Sequence, residues 1–221
     1  MDPEAVYSQL DSVLKEPRFA HLYEEVKARF LATDGIGHNW EHVRRVIVNA
    51  AYLCQEEKAN LDVVMAGSIL HDIGFVLAPA EPKSHHLHGA SGCYQFLGAW
   101  TPTERDAISR CILKHKGRFP GYEGNEPDTL EERVVCDADQ VDKFGWVGLL
   151  QTVKVFAEYG CKGMEQFKSL AGLAEGLGRT ARIQLYTESA RRFVRERAEP
   201  DLSRAGARLK GELSLYLGWN R

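Results

Sequence analysis

"GSILHDIGF", residues 67–75, sets a histidine beside an aspartate inside an apolar run. The run belongs to 61–77, whose nearly uniform hydrophobicity predicts a central, buried helix. Burying an ionisable pair costs free energy unless something compensates it. His71 and Asp72 therefore need a partner that the rest of the chain must supply.

Upstream, Val43, Val46, Ile47, Ala50, Ala51 and Leu53 recur at spacings of three and four and predict a helix over 42–53. Asp34-Gly35 and Gly37 break the chain before it, and Asn39 is placed to cap it. Downstream, a loop holding Pro79 and Pro82 leads to helices expected over 86–99 and 103–115. Thr101-Pro102-Thr103 separates these two, and Thr103 with Asp106 resembles a cap. "KGRFPGYEGNEP", 116–127, carries three glycines and two prolines and reads as a long loop. Helices then follow over 129–144, 146–158, 163–175, 180–198 and, after Pro200, 201–217. Sustained alternation, internal repeats and an obvious linker are all missing from the sequence. The expectation is one all-α domain, a helical bundle spanning 1–221.

Composition narrows the function. Of 221 residues, 44% are hydrophobic and 27% charged, as in an ordinary globular protein whose core needs no staples. A net charge of −3 weighs against general nucleic-acid binding. Residues 178–210 do hold nine Lys/Arg against four acids, but Glu188/Arg192 and Glu196 among arginines read as ion pairs on a solvated helix. Five cysteines, at 54, 93, 111, 136 and 161, form no CxxC pair, which leaves a zinc ribbon or thioredoxin-like motif without support and makes a disulfide framework unexpected. "MDPEAVYSQL" lacks the basic start of a signal peptide, and no run reaches the roughly 18 apolar residues of a membrane span. The expected location is the cytoplasm.

Several polar positions suit chemistry. His38 and His42 in "HNWEH" lie four apart, on one face if helical. His88 within "HHLHG" and His115 within "ILKHKGR" flank loops, and "VVCDADQVDKFG" supplies Asp137, Asp139 and Asp142. Lys114, Lys116, Arg118 and Lys143 surround these positions, with Phe119 and Tyr122 in the glycine-rich loop. Taken singly, each fits a solvated face or a polar loop.

Together, "HNWEHVRRVIVNA", "AGSILHDIGF" and "CDADQVDKFG" give the order H…HD…D, which resembles the HD superfamily of metal-dependent phosphohydrolases, in particular its small stand-alone bacterial members. The resemblance covers about 38 to 150 and implies an HD-type helical bundle. It implies a metal site of His42, His71, Asp72 and Asp139, with Asp137 and Asp142 behind the ligands, orienting imidazoles or basic groups. Two imidazoles and two carboxylates suit a borderline divalent ion such as Mn²⁺, Fe²⁺, Co²⁺, Ni²⁺ or Zn²⁺, with Mg²⁺ a further candidate. Such an ion would also compensate Asp72. Four ligands leave roughly two octahedral positions for water and a phosphate oxygen.

The resemblance further implies that His88 and His115 act beside Asp72 in catalysis or bind a second ion. His38, Lys114, Lys116, Arg118 and Lys143 are the expected phosphate-binding groups. The implied substrate is a nucleotide or another small phosphate ester. Two alternatives use the same residues differently: a di-iron oxygenase on the same fold, and a non-catalytic regulatory or nucleic-acid-binding module.

Overall fold

A computed structural model describes residues 3–118, 124–159 and 183–196, together with 208 and 211. In chain order the helices are α1 (Pro3–Lys15), α2 (Pro17–Leu31), α3 (Trp40–Glu57), α4 (Leu61–Leu70), α5 (Gly74–Leu77), α6 (His85–Gly92), α7 (Pro102–Lys114), α8 (Leu130–Val141), α9 (Gly145–Glu158) and α10 (Glu188–Glu196). Single 3₁₀ turns occupy Pro82–Ser84 and Cys93–Phe96. The described residues hold no strand, and the fold is all-α as the periodicity predicts.

Local chemistry sets the helix ends. Asn39 caps α3 by accepting from the His42 backbone N–H, as expected, and Asn60 caps α4 through the N–H groups of Asp62 and Val63. The start of α7 differs from expectation. Thr101 is its cap, locked in a capping box with Glu104, and Pro102 takes the first helical position, where its missing N–H costs nothing. Thr129 and Glu132 repeat the device at α8.

The apolar stripe of α3 is buried, and α4 is buried all round from Val63 to Leu70. α4 packs against α3, α7 and α8; α1 and α2 cover α3 and α4, while α6 lies on α5 and α7. Leu53, Met65, Ile69, Leu70 and Ile112 are fully buried, each contributing about 1.5–3 kcal/mol through removal from water.

Three expectations change. The helix expected over 61–77 ends at Leu70, and α5 starts at Gly74. Between them Ile73 N–H reaches back three residues to Leu70 O and Phe75 N–H to Asp72 O, a tight turn carrying the His-Asp pair. The helix expected over 86–99 begins at His85 and gives way to the 3₁₀ turn at Cys93. Residues before Asp34, to which the hydrophobic pattern assigned nothing, form α1 and α2. The helices expected at 163–175 and 201–217 lie outside the described residues, save Arg208 and Gly211. Of 180–198, the helix covers Glu188–Glu196.

Candidate metal centre

The N-terminal turn of α3, the turn after α4, the start of α6 and the C-terminal ends of α7 and α8 meet at one place. Each element delivers a side chain there. His42 Nε2 lies 3.4 Å from His71 Nε2, 3.2 Å from Asp139 Oδ1 and 3.5 Å from Asp72 Oδ2. On the other side of Asp72, its Oδ1 lies 3.2 Å from His85 Nε2 and 3.5 Å from His115 Nε2, and those two nitrogens are 3.1 Å apart. Two groups of three result, His42/His71/Asp72 and Asp72/His85/His115, each with ligand atoms within 4.8 Å of one another and all buried. Asp72 belongs to both.

All four imidazoles are oriented in the same way. His71 Nδ1 donates to Ser68 O at 2.8 Å, His85 Nδ1 to Pro82 O at 2.7 Å and His115 Nδ1 to Ile112 O at 2.6 Å, always three residues back. His42 Nδ1 donates to Asp142 Oδ2 at 2.8 Å. A carbonyl oxygen can only accept, so Nδ1 carries the proton and Nε2 offers its lone pair to the centre. Asp142 is itself gripped by Arg45 at 2.8 and 2.9 Å, and Arg45 continues to Gln151 at 2.7 Å.

The electrostatics ask for positive charge. Burial opposes protonation of His42, yet Asp139 and Asp142 overcome it and lift the imidazole to about 10. Burial raises the Asp72 carboxyl, but His71, His115 and His85 outweigh it and hold the group well below the usual carboxylate range. Burial, against the pull of Asp72, pushes His85 down to about 4. Asp72 Oδ2 is buried without a hydrogen-bond partner among the described residues. Carboxylates held ionised, an imidazole at His42 drawn toward positive charge by Asp139 and Asp142, and an orphaned oxygen fit a divalent cation, which would supply that charge in place of a proton.

The cluster forms one side of a cavity of about 290 Å³. Lys116, Lys143, Gln140 and His38 also line it. Lys143 Nζ lies 3.0 Å from Asp139 Oδ2. Burial pushes the Lys116 ammonium down to about 8, with Asp72 and Asp139 opposing and Lys143 adding to the shift. His38 stacks on Phe75 at 4.0 Å, Phe75 stacks on His85 at 4.0 Å, and Glu158 holds His38 Nδ1 at 2.5 Å.

Other expected site residues lie elsewhere. His88 does not reach the cluster: it lies one turn further along α6, partly exposed, 3.0 Å from Glu81, and His85 occupies the expected position. Asp137 points away from Asp139 because two residues turn a helix by about 200°. It accepts from the backbone of Tyr186 and Thr187 and from the Thr187 hydroxyl, tying the start of α10 to α8. Lys114 donates to Gly124 O at 3.0 Å, and Arg118 is exposed, 3.8 Å from Glu126; neither lines the cavity. Phe119 and Tyr122 lie outside the described residues.

The sequence reading also missed Arg45 and Glu158. Arg45 carries a signal, since it stands three residues after His42 on the same helix face. Glu158 carries none, being 120 residues from His38.

Comparison with known proteins places the chain in a family. The HD domain family profile matches residues 39–143. The uncharacterized protein YpgQ of Bacillus subtilis is 30% identical over 153 residues, 68% of this chain and 71% of that protein. The fold superposes on that of YpgQ solved in complex with ADP with a TM-score of 0.62, covering 88% of this chain and 94% of that one at 23% identity. It superposes on a predicted HD superfamily hydrolase from an uncultured Thermotogales bacterium with a TM-score of 0.64 at 21% identity, covering 90% and 97%. His42, His71, Asp72, His85, His115 and Asp139 all lie inside the matched segment, and the chain belongs to the HD domain family.

Proposed function

We propose that the protein is a metal-dependent hydrolase of small phosphate esters, with nucleotides or other small phosphorylated metabolites as substrates. The observation that carries this reading is the convergence of four Nε2 atoms with the Asp72 and Asp139 carboxylates at the edge of the cavity that Lys116 and Lys143 line. The ADP complex of YpgQ supports a nucleotide as ligand.

His42, His71, Asp72 and Asp139 would hold one divalent ion, and His85 and His115 a second that shares Asp72. A bound divalent ion supplies an activated water and neutralises phosphate charge. Lys116 and Lys143 neutralise further phosphate oxygens, the main demand of phosphoryl transfer. His38, whose Nδ1–H donates to Glu158, lines the cavity with its Nε2 lone pair left to accept a hydrogen bond from a water or a substrate hydroxyl. Asp142 holds the His42 ring in place. The same two groups of three would also suit a pair of irons for oxidative chemistry, and the lysines favour the hydrolytic reading.

Elemental analysis of the protein and of Asp72→Ala, beside phosphate release from nucleotides with Mn²⁺, Co²⁺ or Ni²⁺, tests the proposal. Up to two ions per chain are expected in the parent, and loss of both ions and of turnover in the variant, because Asp72 serves both positions. Turnover retained by Asp72→Ala would overturn it. Two irons with oxygen consumption and no phosphate release would favour the oxidative reading.

A further inference from the structure

Among the described residues, the side of the cavity away from the metal cluster is built mainly by α9. Gln151, Thr152, Val155, Phe156 and Tyr159 line it, with Ile183 beside them. Spacings of one, three and four put these α9 residues on a single helical face. α9 is held against the cluster by three ties to the loop before α3. Gln151 Nε2 donates to Gly37 O at 2.8 Å, Glu158 accepts from the N–H of Ile36 and of His38, and a Cβ on Gly37 would stand 2.7 Å from the Val155 Cα.

The Gln151 amide and the Thr152 hydroxyl of this wall already bond within the protein, and the Tyr159 ring sits edge-on to His38. Gln151 spends its amide on Gly37 O and its carbonyl on Arg45, and the Thr152 hydroxyl donates to Gly148 O at 2.8 Å. The side chains of Val155, Phe156 and Ile183 are apolar. The Phe156 ring packs on no other aromatic ring among the described residues. The cavity thus divides chemically, with charge on the cluster side and contact surface on the other. At about 290 Å³ it lies near the lower limit of ligand pockets, which suits one small ester rather than a polymer.

We infer that this wall makes the site base-tolerant: Phe156 and its apolar neighbours hold the base of a nucleoside phosphate by contact, without hydrogen bonds that single out one base. The inference rests on the phosphohydrolase reading above and adds how the organic half of the substrate is selected. Apolar contact separates related ligands by roughly 10- to 200-fold, whereas a site that hydrogen-bonds its ligand rejects analogues by about 10⁴ or more. Stacking on an aromatic ring strengthens binding about 5- to 150-fold and does so for every base.

The test compares kcat/KM for the mono-, di- and triphosphates of adenosine, guanosine, cytidine and uridine. Ribose 5-phosphate and inorganic tripolyphosphate are the base-free controls, run with the parent, Phe156→Ala and the volume-keeping Phe156→Leu. At the phosphorylation level the protein hydrolyses, the four bases are expected within about 100-fold of one another. Phe156→Ala should lower kcat/KM for all four by about 5- to 150-fold and leave the controls within about twofold. A preference for one base of about 10⁴, or an equal loss on nucleotides and controls, would overturn the inference while leaving the hydrolase reading intact. Calorimetric binding of the same nucleotides with Mn²⁺ reads the wall without turnover. If no probe is hydrolysed, the hydrolase reading fails, and binding by the parent that Phe156→Ala weakens for every base still upholds the wall's role. No binding, or equal binding by both proteins, overturns it.

Discussion

Asp142 does not line the cavity, yet its carboxylate fixes the His42 ring through Nδ1 and is itself fixed by two bonds from Arg45. Partners of this kind set the direction and basicity of a ligand, and losing one costs about 10- to 100-fold in metal affinity. Asp142→Asn is therefore expected to weaken Mn²⁺ binding by that factor in a competition titration, with the fold intact by circular dichroism. At this scale the sequence was legible where neighbours in the chain share a site: His71 and Asp72 announce themselves by sitting charged in an apolar run. It was ambiguous in "HHLHG", because three histidines cover most directions around a helix and only its starting residue decides which faces inward. That start is His85, so His85 enters and His88 pairs with Glu81 at the surface. Asp137 and Asp139 pose the same problem, since both are buried and only the placement of α10 gives Asp137 its partners.

The break between α4 and α5 carries as much meaning as the helices. Neighbouring residues on a helix splay by about 100°; His71 keeps a helical backbone in the turn at 71–73, and its Nε2 nonetheless lies 3.4 Å from Asp72 Oδ2. Gly74 follows at once, and a Cβ there would lie 1.9 Å from His85 O, so the absence of a side chain lets α6 approach. Gly74→Ala is expected to displace His85 and weaken the Asp72/His85/His115 group while His42, His71 and Asp72 stay in place. Elemental analysis should then find about half the parent's metal in the variant. Parent-level loading would show that α6 can shift without releasing His85. Hydrophobic periodicity predicted α3, α8 and α9 within a few residues, since each has a clear apolar face. It could not show the break, because a fully buried helix and a buried turn have the same composition. Nor could it show that α9 turns toward the metal cluster, which depends on contacts with residues 36–38, more than a hundred positions away.

In the whole molecule, the cluster joins α3, α4, α6, α7 and α8, so a bound ion stabilises the folded chain as well as the site. A ligand that binds only the folded state at 100 times its Kd adds about 2.7 kcal/mol, which for a chain of this size raises Tm by about 5–11 °C. Chelation is expected to lower Tm by that amount, and restoring Mn²⁺ should recover it; an unchanged Tm would mean that the cluster folds without needing a cation. Among the described residues no helix is long and apolar enough to cross a membrane. Glu188 pairs with Arg191 and Arg195 instead of the expected Arg192, which reaches Glu56, so three of the basic groups suspected of meeting nucleic acid are engaged in ion pairs. The three histidines that bond backward to the third preceding carbonyl have a wider effect. Ser68 and Ile112 sit in the last turns of α4 and α7, where carbonyls lack a partner within the helix. His71 and His115 thus act as end-stops for the helices that carry them. Fraying of either terminus and release of its ligand become a single equilibrium, so amide exchange at those two turns should slow as metal occupancy rises and quicken as it falls.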